Sequence, residues 1–287
     1  MAGSTQLELD KLYEAYDAGY QVFLANWQVN RQIAIDLMHK YLKPYPPQVS
    51  VLSVGAGPGD FDIQVIRSLK QQLLKDITLR YIAIEPNPLH RQRYEQRINI
   101  PEFADVELKL YSERIEELQL DEKFDIIHFT HSMYHMPNLE KHLIQKTLGM
   151  LKEDGFLIIT LDTTDAVIYN TIVKYAFLTG QGITEMPWMS TIQTIVAEMG
   201  LYSEVVNYPE YLDVRLCFEE NTAEGKALID FFCQADSSLL SREQSDEILQ
   251  ILASQITEQN GRKLVRADAA TMMIPKQIAN NNLVAWR

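Results

Sequence analysis

The stretch VLSVGAGPGDFD, residues 51–62, constrains the fold more than any other part of the chain. An apolar run that suits a buried strand ends in glycines at 55, 57 and 59, and a helical pattern opens at Asp60. A strand that passes through a bare turn into a helix is the first half of a βαβ crossover. The alternation continues downstream. Strand-like segments at 49–54, 79–84, 106–110, 124–129 and 154–161 are separated by helical ones at about 60–74, through Arg93 and Tyr94, and at about 138–151. Parallel strands joined by helices need cover on both faces of the sheet, so an α/β fold is expected.

The flanks are less regular. Residues 6–42 read as helical, with Leu7, Leu12, Tyr16, Tyr20, Phe23 and Leu24 toward one face, and KPYPPQ at 43–48 is expected to end that helix. Past Leu161 come helical stretches near 165–178 and 190–199, then the strand-like YSEVVNY and YLDVRLCF. Two helices follow at about 223–235 and 242–257, and KLVRADAATMMI, 263–274, reads as a late, edge-like strand. The expected organisation is a core of residues 1–209 and 261–287, including an N-terminal helical cover, with a small accessory substrate-binding region at 210–260.

Composition narrows the partners. With a net charge of −13, the chain lacks the clustered Lys and Arg that phosphate backbones demand, so no nucleic acid is expected. No apolar run approaches the roughly 18 residues that cross a bilayer, and MAGSTQLELD lacks the pattern of a secretory leader. Two cysteines, Cys217 and Cys233, make no disulfide framework. A cytoplasmic monomer acting on a small molecule is the expectation.

The glycine spacing selects the ligand. Dinucleotide sites use G-x-G-x-x-G, whose third glycine would fall at Asp60, where a carboxylate would repel a pyrophosphate. No G-K-[ST] follows, which excludes a P-loop. G-x-G-x-G at the carboxyl end of the first strand suits a ligand without phosphates that lies against bare backbone. The second strand ends YIAIEPN, and Glu85 at its tip can accept hydrogen bonds from both hydroxyls of a ribose. Together they point to a phosphate-free nucleoside.

This pairing resembles the S-adenosylmethionine-dependent methyltransferases of the Rossmann-like class I. The resemblance implies that Gly55, Gly57 and Gly59 lie against the cofactor and that Glu85 holds its ribose. It places Ser112 to Ile115, in YSERIEEL, near the adenine, and Thr130 where cofactor and substrate meet. The product would be S-adenosylhomocysteine. More narrowly, VLSVGAGPGDFDIQVI, IEPNPLHRQRY, FDIIHFTHSMYHMPNLEKHL, LDVRLCFEENTAEGKALIDFF and FLANWQVNRQ are similar to the histamine N-methyltransferase family. The likeness spans nearly the whole chain, but the substrate half departs. Val29 or Asn30 stands where that family has a glutamate, His131 where it has a glutamine, and His135 where it has a tyrosine, while Tyr134 is kept. Ala267, beside Asp268, replaces an asparagine, and Ile168 and Ile172 replace two tryptophans.

The histidines carry the candidate chemistry. His128, His131, His135 and His142 fall within 15 residues. His128 lies inside a strand and reads as structural, and His142 reads as an exposed helix residue. His131 and His135 begin a loop at the catalytic edge of the sheet and are the candidate catalytic residues. At an ordinary pKa of about 6.5, His131 would add an acid limb to the rate. Tyr16, Tyr20, Phe23, Asn30, Tyr134 and Asp268 are candidate substrate contacts, with Tyr13 and Trp27 among the aromatics of a possible lid. No metal set is expected. The reading is methyl transfer to nitrogen of a small amine or imidazole-like compound. Oxygen or carboxyl methylation of a small natural-product intermediate, or non-catalytic binding of the cofactor, stand as alternatives.

Overall fold

Six of the seven residues of the segment Gln48–Val54 are buried, and a strand buried on both faces needs a partner layer on each side. The computed structural model, which describes residues 6–42, 47–73, 77–180, 185–219 and 222–276 and side chains from Tyr16 onward, supplies both layers. Along the chain run α1 (Gln6–Asn26), β1 (Trp27–Gln28), α2 (Gln32–Tyr41), β2 (Gln48–Val54), α3 (Asp60–Gln72), β3 (Thr78–Ile84) and α4 (Pro88–Ile98). Then come β4 (Val106–Tyr111), β5 (Phe124–Thr130), α5 (Glu140–Met150), β6 (Leu151–Asp162), α6 (Val167–Thr179) and α7 (Met189–Glu198). The last are β7 (Glu204–Tyr208), β8 (Tyr211–Asp213), α8 (Ala223–Cys233), α9 (Arg242–Ser254), β9 (Thr257–Gln259), β10 (Arg262–Arg266) and β11 (Ala269–Pro275).

By internal contacts the chain forms two compact units. One comprises Arg31–Leu161, Pro187–Val206 and the chain from Ala270. The other comprises the chain up to Asn30, Asp162–Met186 and Asn207–Ala269. The expected accessory stretch 210–260 therefore lies inside a larger unit that also holds α1 and α6.

The first unit is built on the seven-stranded sheet, order β4-β3-β2-β5-β6-β11-β7. β2 pairs in parallel with β3 on one side and β5 on the other, so the strand order reverses at β2. That reversal opens a crevice at the carboxyl ends of β2 and β5. Alternate residues of β2 serve opposite layers. Leu52 and Val54 join a core with Ile127, Phe129, Leu143 and Ile192. Val49 and Val51 join another with Ile35, Met38, Phe61 and Ile66. Each such side chain contributes roughly 1.5–3 kcal/mol by leaving water.

The second unit contains a small antiparallel sheet, order β1-β8-β10-β9. Beside it, α1 packs on α8, and α6, α8 and α9 meet around Tyr175, Cys233 and Ile248.

Three expectations are corrected. The helix expected over 6–42 is two helices, because Trp27 and Gln28 leave the helical path to pair with Leu212 and Tyr211 of β8. Residues 43–46 of the expected break lie outside the described residues. The strand expected over 263–274 is two strands in two sheets, and β11 is not an edge but a buried strand between β6 and β7. YLDVRLCF is a strand only through Asp213, whose carboxylate accepts from the Arg215 N–H at 3.1 Å and turns the chain into a 3₁₀ turn, Arg215–Phe218.

The α1–α8 contact in the second unit depends on a glycine. A Cβ at Gly19 would lie 2.9 Å from the Ala227 carbonyl oxygen and 3.1 Å from Phe231 Cβ. Gly19→Val is expected to cost roughly 1–3 kcal/mol by overpacking. Gly149→Ala in α5, where a Cβ meets nothing within 4 Å, should instead be neutral or stabilising by up to about 1 kcal/mol. Urea unfolding of both variants checks this, and an unchanged midpoint for Gly19→Val contradicts it.

Candidate active site

The turn between β2 and α3 is shaped by three left-handed residues: Gly55 at φ 71°, Gly57 at φ 58° and Gly59 at φ 86°. L side chains rarely adopt this conformation, so the alternating glycines are a backbone requirement. Each is also pinned. A Cβ on Gly55 would lie 2.4 Å from Ser132 Cβ, and Ser132 Oγ donates to the Val54 carbonyl at 2.6 Å. Gly57 N–H donates to Glu85 Oε2 at 2.6 Å. A Cβ on Gly59 would lie 2.8 Å from the Tyr94 ring. Two of the three glycines are thus demanded by the protein itself, whatever ligand the loop takes.

Glu85 stands at the tip of β3, as its sequence position implies. It is buried, and its other oxygen accepts from Asn87 N–H at 2.8 Å. Burial raises its pKa, against the backbone donors and Arg91. Two N–H bonds leave further lone pairs on the carboxylate for ligand hydroxyls. Asp60 does not act as a free repulsive charge, because Arg97 Nη1 lies 2.6 Å from its Oδ2 and also donates to the Pro58 carbonyl. The argument against a pyrophosphate therefore rests on the glycine spacing and on the buried carboxylates rather than on Asp60.

The remaining cofactor candidates differ in setting. Ser112 is exposed, with its N–H on Glu113 Oε2 at 3.0 Å. Ile115 is packed in the core, and its turn is held by Lys146 Nζ, which donates to the carbonyls of Ile115 and Leu118 at 2.6 and 2.7 Å. Thr130 is half-buried at the tip of β5, with its Oγ1 3.2 Å from His128 Nδ1.

His131 follows with φ 52°, a rare conformation for a residue with a side chain. Its N–H donates to the Thr160 carbonyl at 2.9 Å, and its Nδ1 lies 3.3 Å from the Tyr134 hydroxyl. Burial, helped by Arg31, lowers its pKa to about 3. His131 is half-buried, and the acid limb expected near pH 6.5 is therefore shifted to lower pH. His135 is exposed on the next turn; surrounding protein mass and His90 draw its pKa down, an effect that its contact with water limits. His128 is buried within β5, and His142 is exposed on α5.

Tyr16, Tyr20, Phe23, Asn30 and Asp268 belong to the second unit. The Tyr16, Tyr20 and Phe23 rings gather on Phe231 of α8 at centroid distances of 5.7, 6.1 and 4.6 Å, which is core packing of two helices. Asn30 is exposed and its N–H donates to Glu210 Oε1 at 2.7 Å. Asp268 is ion-paired with Arg266 at 2.5 Å. Cys217 and Cys233 are buried, with thiols pushed up to about 12 by burial, which keeps them unreactive. Among the described residues no cluster of three His, Cys, Asp or Glu could hold a metal, and no helix is long and apolar enough to cross a membrane.

Sequence reasoning did not single out Ser132, Tyr94, Lys146 or Trp188. Trp188, buried at the start of α7, lies 6.0 Å from the Tyr134 ring and extends the aromatic wall beside His131. Its place is set by the chain's return to the sheet at α7, for which no local pattern exists.

The sheet order and the glycine crevice define a class I S-adenosylmethionine-dependent methyltransferase. The chain belongs to the methyltransferase-domain family whose model matches residues 26–202. It is 24% identical to carnosine N-methyltransferase 2 of Gallus gallus over 64% of this chain and 59% of that protein. It is 24% identical to histamine N-methyltransferase of Danio rerio over 77% of this chain and 80% of that protein. The plantazolicin methyltransferase BpumL in complex with SAH has the same fold, with a TM-score of 0.51 at 13% identity, covering 96% of this chain and 92% of that one. The residues present fit S-adenosylmethionine: a bare loop for its bulk and a strand-tip carboxylate for its ribose.

Glu85→Gln keeps volume but removes the charge that holds the Gly57 N–H and that would accept from the ribose hydroxyls of the cofactor. Loss of a charged acceptor at a sheltered site costs about 1.5–3 kcal/mol, so S-adenosylhomocysteine affinity should fall roughly tenfold to a hundredfold. Calorimetric titration checks this, and unchanged affinity contradicts the assignment.

Proposed function

We propose that the protein transfers a methyl group from S-adenosylmethionine to a nitrogen of a small amine or imidazole-like compound. The observation that carries this is the wall of His131, Tyr134 and Trp188 at the tip of β5, next to the glycine loop. A neutral imidazole and two aromatic faces suit a flat or cationic nitrogen compound. Two relatives are named for histamine and carnosine, both of which carry an imidazole ring and an amino group.

When bound, the cofactor supplies an activated methyl for in-line displacement by a lone pair. The chain supplies orientation and a dry wall. With its pKa held near 3, His131 is a weak base, so its part is to orient the nucleophile by a hydrogen bond rather than to store the proton. The Tyr134 hydroxyl fixes that ring, and the left-handed backbone at His131 aims it. Strain of this kind, of order 1 kcal/mol, persists where the surroundings enforce it. His135 is assigned a lesser role at the exposed rim, and Thr130 and Ser112 line the cofactor side.

The kcat/KM acid limb should follow the substrate's own nitrogen and be the same in wild type, His131→Gln and His131→Ala. His131→Ala should lose about 2–4 kcal/mol of transition-state stabilisation, roughly 30-fold to 1000-fold in kcat/KM, with S-adenosylhomocysteine affinity unchanged. His131→Gln should recover part of the loss, since an amide also donates and accepts. Turnover of labelled cofactor with histamine-like and amine substrates, read by mass spectrometry, tests the reading. Methyl found on oxygen, or an alanine variant within threefold of wild type, overturns it.

A further inference from the structure

Beneath the glycine loop lies a buried polar cluster for which the methyl-transfer reading has no use. Asp62, on the first turn of α3, is 1% exposed. Its Oδ1 accepts from Ser53 Oγ and its Oδ2 from the Tyr94 hydroxyl, both at 2.9 Å. The Tyr81 hydroxyl also bonds Asp62 and lies 2.9 Å from His128 Nε2. His128 Nδ1 in turn faces Thr130 Oγ1. Tyr94 is the ring against which Gly59 closes.

One assignment of protons satisfies every member of this chain. Thr130 Oγ–H donates to His128 Nδ1, His128 Nε2–H donates to the Tyr81 oxygen, and Tyr81 O–H donates to Asp62. Ser53 and Tyr94 donate to the same carboxylate. The assignment requires Asp62 ionised, since only a carboxylate accepts from three hydroxyls without offering a proton of its own. It commits the Thr130 hydrogen to His128 and leaves the Thr130 lone pairs free to accept. If Asp62 takes a proton, one hydroxyl must turn away from it, and the order can reverse along the chain.

We propose that Asp62 is a positioning residue whose ionised carboxylate sets both ends of the cofactor cradle, Gly59 through Tyr94 and Thr130 through Tyr81 and His128. The groups that face it are Ser53 on β2, Tyr81 and Glu85 on β3, Tyr94 on α4 and His128 on β5. Burial raises the Asp62 pKa to about 7, the three hydroxyls oppose the rise, and the charge on Glu85 adds to it. His128, lowered by burial to about 3, stays neutral and does not titrate in the same range. Tyr81 and Tyr94 are raised well above 10, so they too stay protonated. Cofactor affinity should therefore rise as pH passes upward through neutrality.

The inference rests on S-adenosylmethionine being the cofactor, and the test separates the two claims. S-adenosylhomocysteine is titrated calorimetrically from pH 5.5 to 8.5 into wild type, Asp62→Asn and Tyr94→Phe. Binding to wild type at any pH bears on the cofactor alone; the pH profile bears on Asp62. Affinity of wild type should rise roughly fivefold to tenfold along one titration curve, the worth of about one hydrogen bond. Asp62→Asn should flatten the curve. Tyr94→Phe removes one donor to the carboxylate and should move the midpoint to higher pH, which a merely structural hydroxyl would not do. Should Asp62→Asn fail to fold, the Tyr94→Phe midpoint decides alone. A flat wild-type curve, an Asp62→Asn curve that overlays wild type, or an unmoved midpoint in Tyr94→Phe overturns the proposal.

Discussion

The close approach of Ser132 to Gly55 is the contact on which the site depends. It brings the start of the β5 loop against the end of β2, and only a residue without a Cβ allows it. Ser132 Oγ then donates to the Val54 carbonyl, so the two strand ends that flank the crevice are bonded to each other. From this follow the position of the glycine loop and the sharp turn at His131. The adjoining residues have little freedom left. Thr130 ends a buried strand, His131 is forced to positive φ, and Tyr134 sits one turn on, where it meets the His131 ring.

Charge in the site is arranged by burial more than by ion pairs. Glu85 and Asp62 are both carboxylates inside the protein, and both are held by neutral donors, backbone N–H groups for the first and hydroxyls for the second. Neutral donors favour the carboxylate without cancelling its charge. Of the cations nearby, Arg97 pairs with Asp60, Arg91 donates to the Pro86 carbonyl while its charge still acts on Glu85, and Arg31 acts on His131. The glycine turn and the two buried carboxylates, rather than Asp60, are therefore what disfavours a phosphate there.

Much of this was legible in the sequence because it is local. The run at 49–54, the glycines at 55, 57 and 59 and the acid at 85 each report a strand, a turn or a strand tip within a few residues. The five parallel-type strands and their helices followed from the same short-range patterns. What stayed hidden is set by distant pairing. Trp27 and Gln28 look helical until Leu212 and Tyr211 are present to pair with them, and the KLVRADAATMMI run looks continuous until its halves are claimed by different sheets. Tyr94 and Ser132 matter because of which glycine each one touches, and no spacing rule encodes that. The lowered pKa of His131 is hidden for a related reason, since Arg31 and the segments that half-bury its ring are distant in the chain.

The two halves of the site differ in how they are specified. A cofactor that lies on backbone imposes φ angles and bare Cα positions, and these leave a legible sequence pattern, here the glycines at 55, 57 and 59. A substrate recognised by side chains imposes only a shape and a few polar groups, which different residues supply equally well. His131 can present a donor and an acceptor as an amide would, and Trp188 adds an aromatic face from the start of α7. The wall beside the loop is built from the turn after β5 and the start of α7, where side chains decide, while the turn at 55–59 is decided by its backbone.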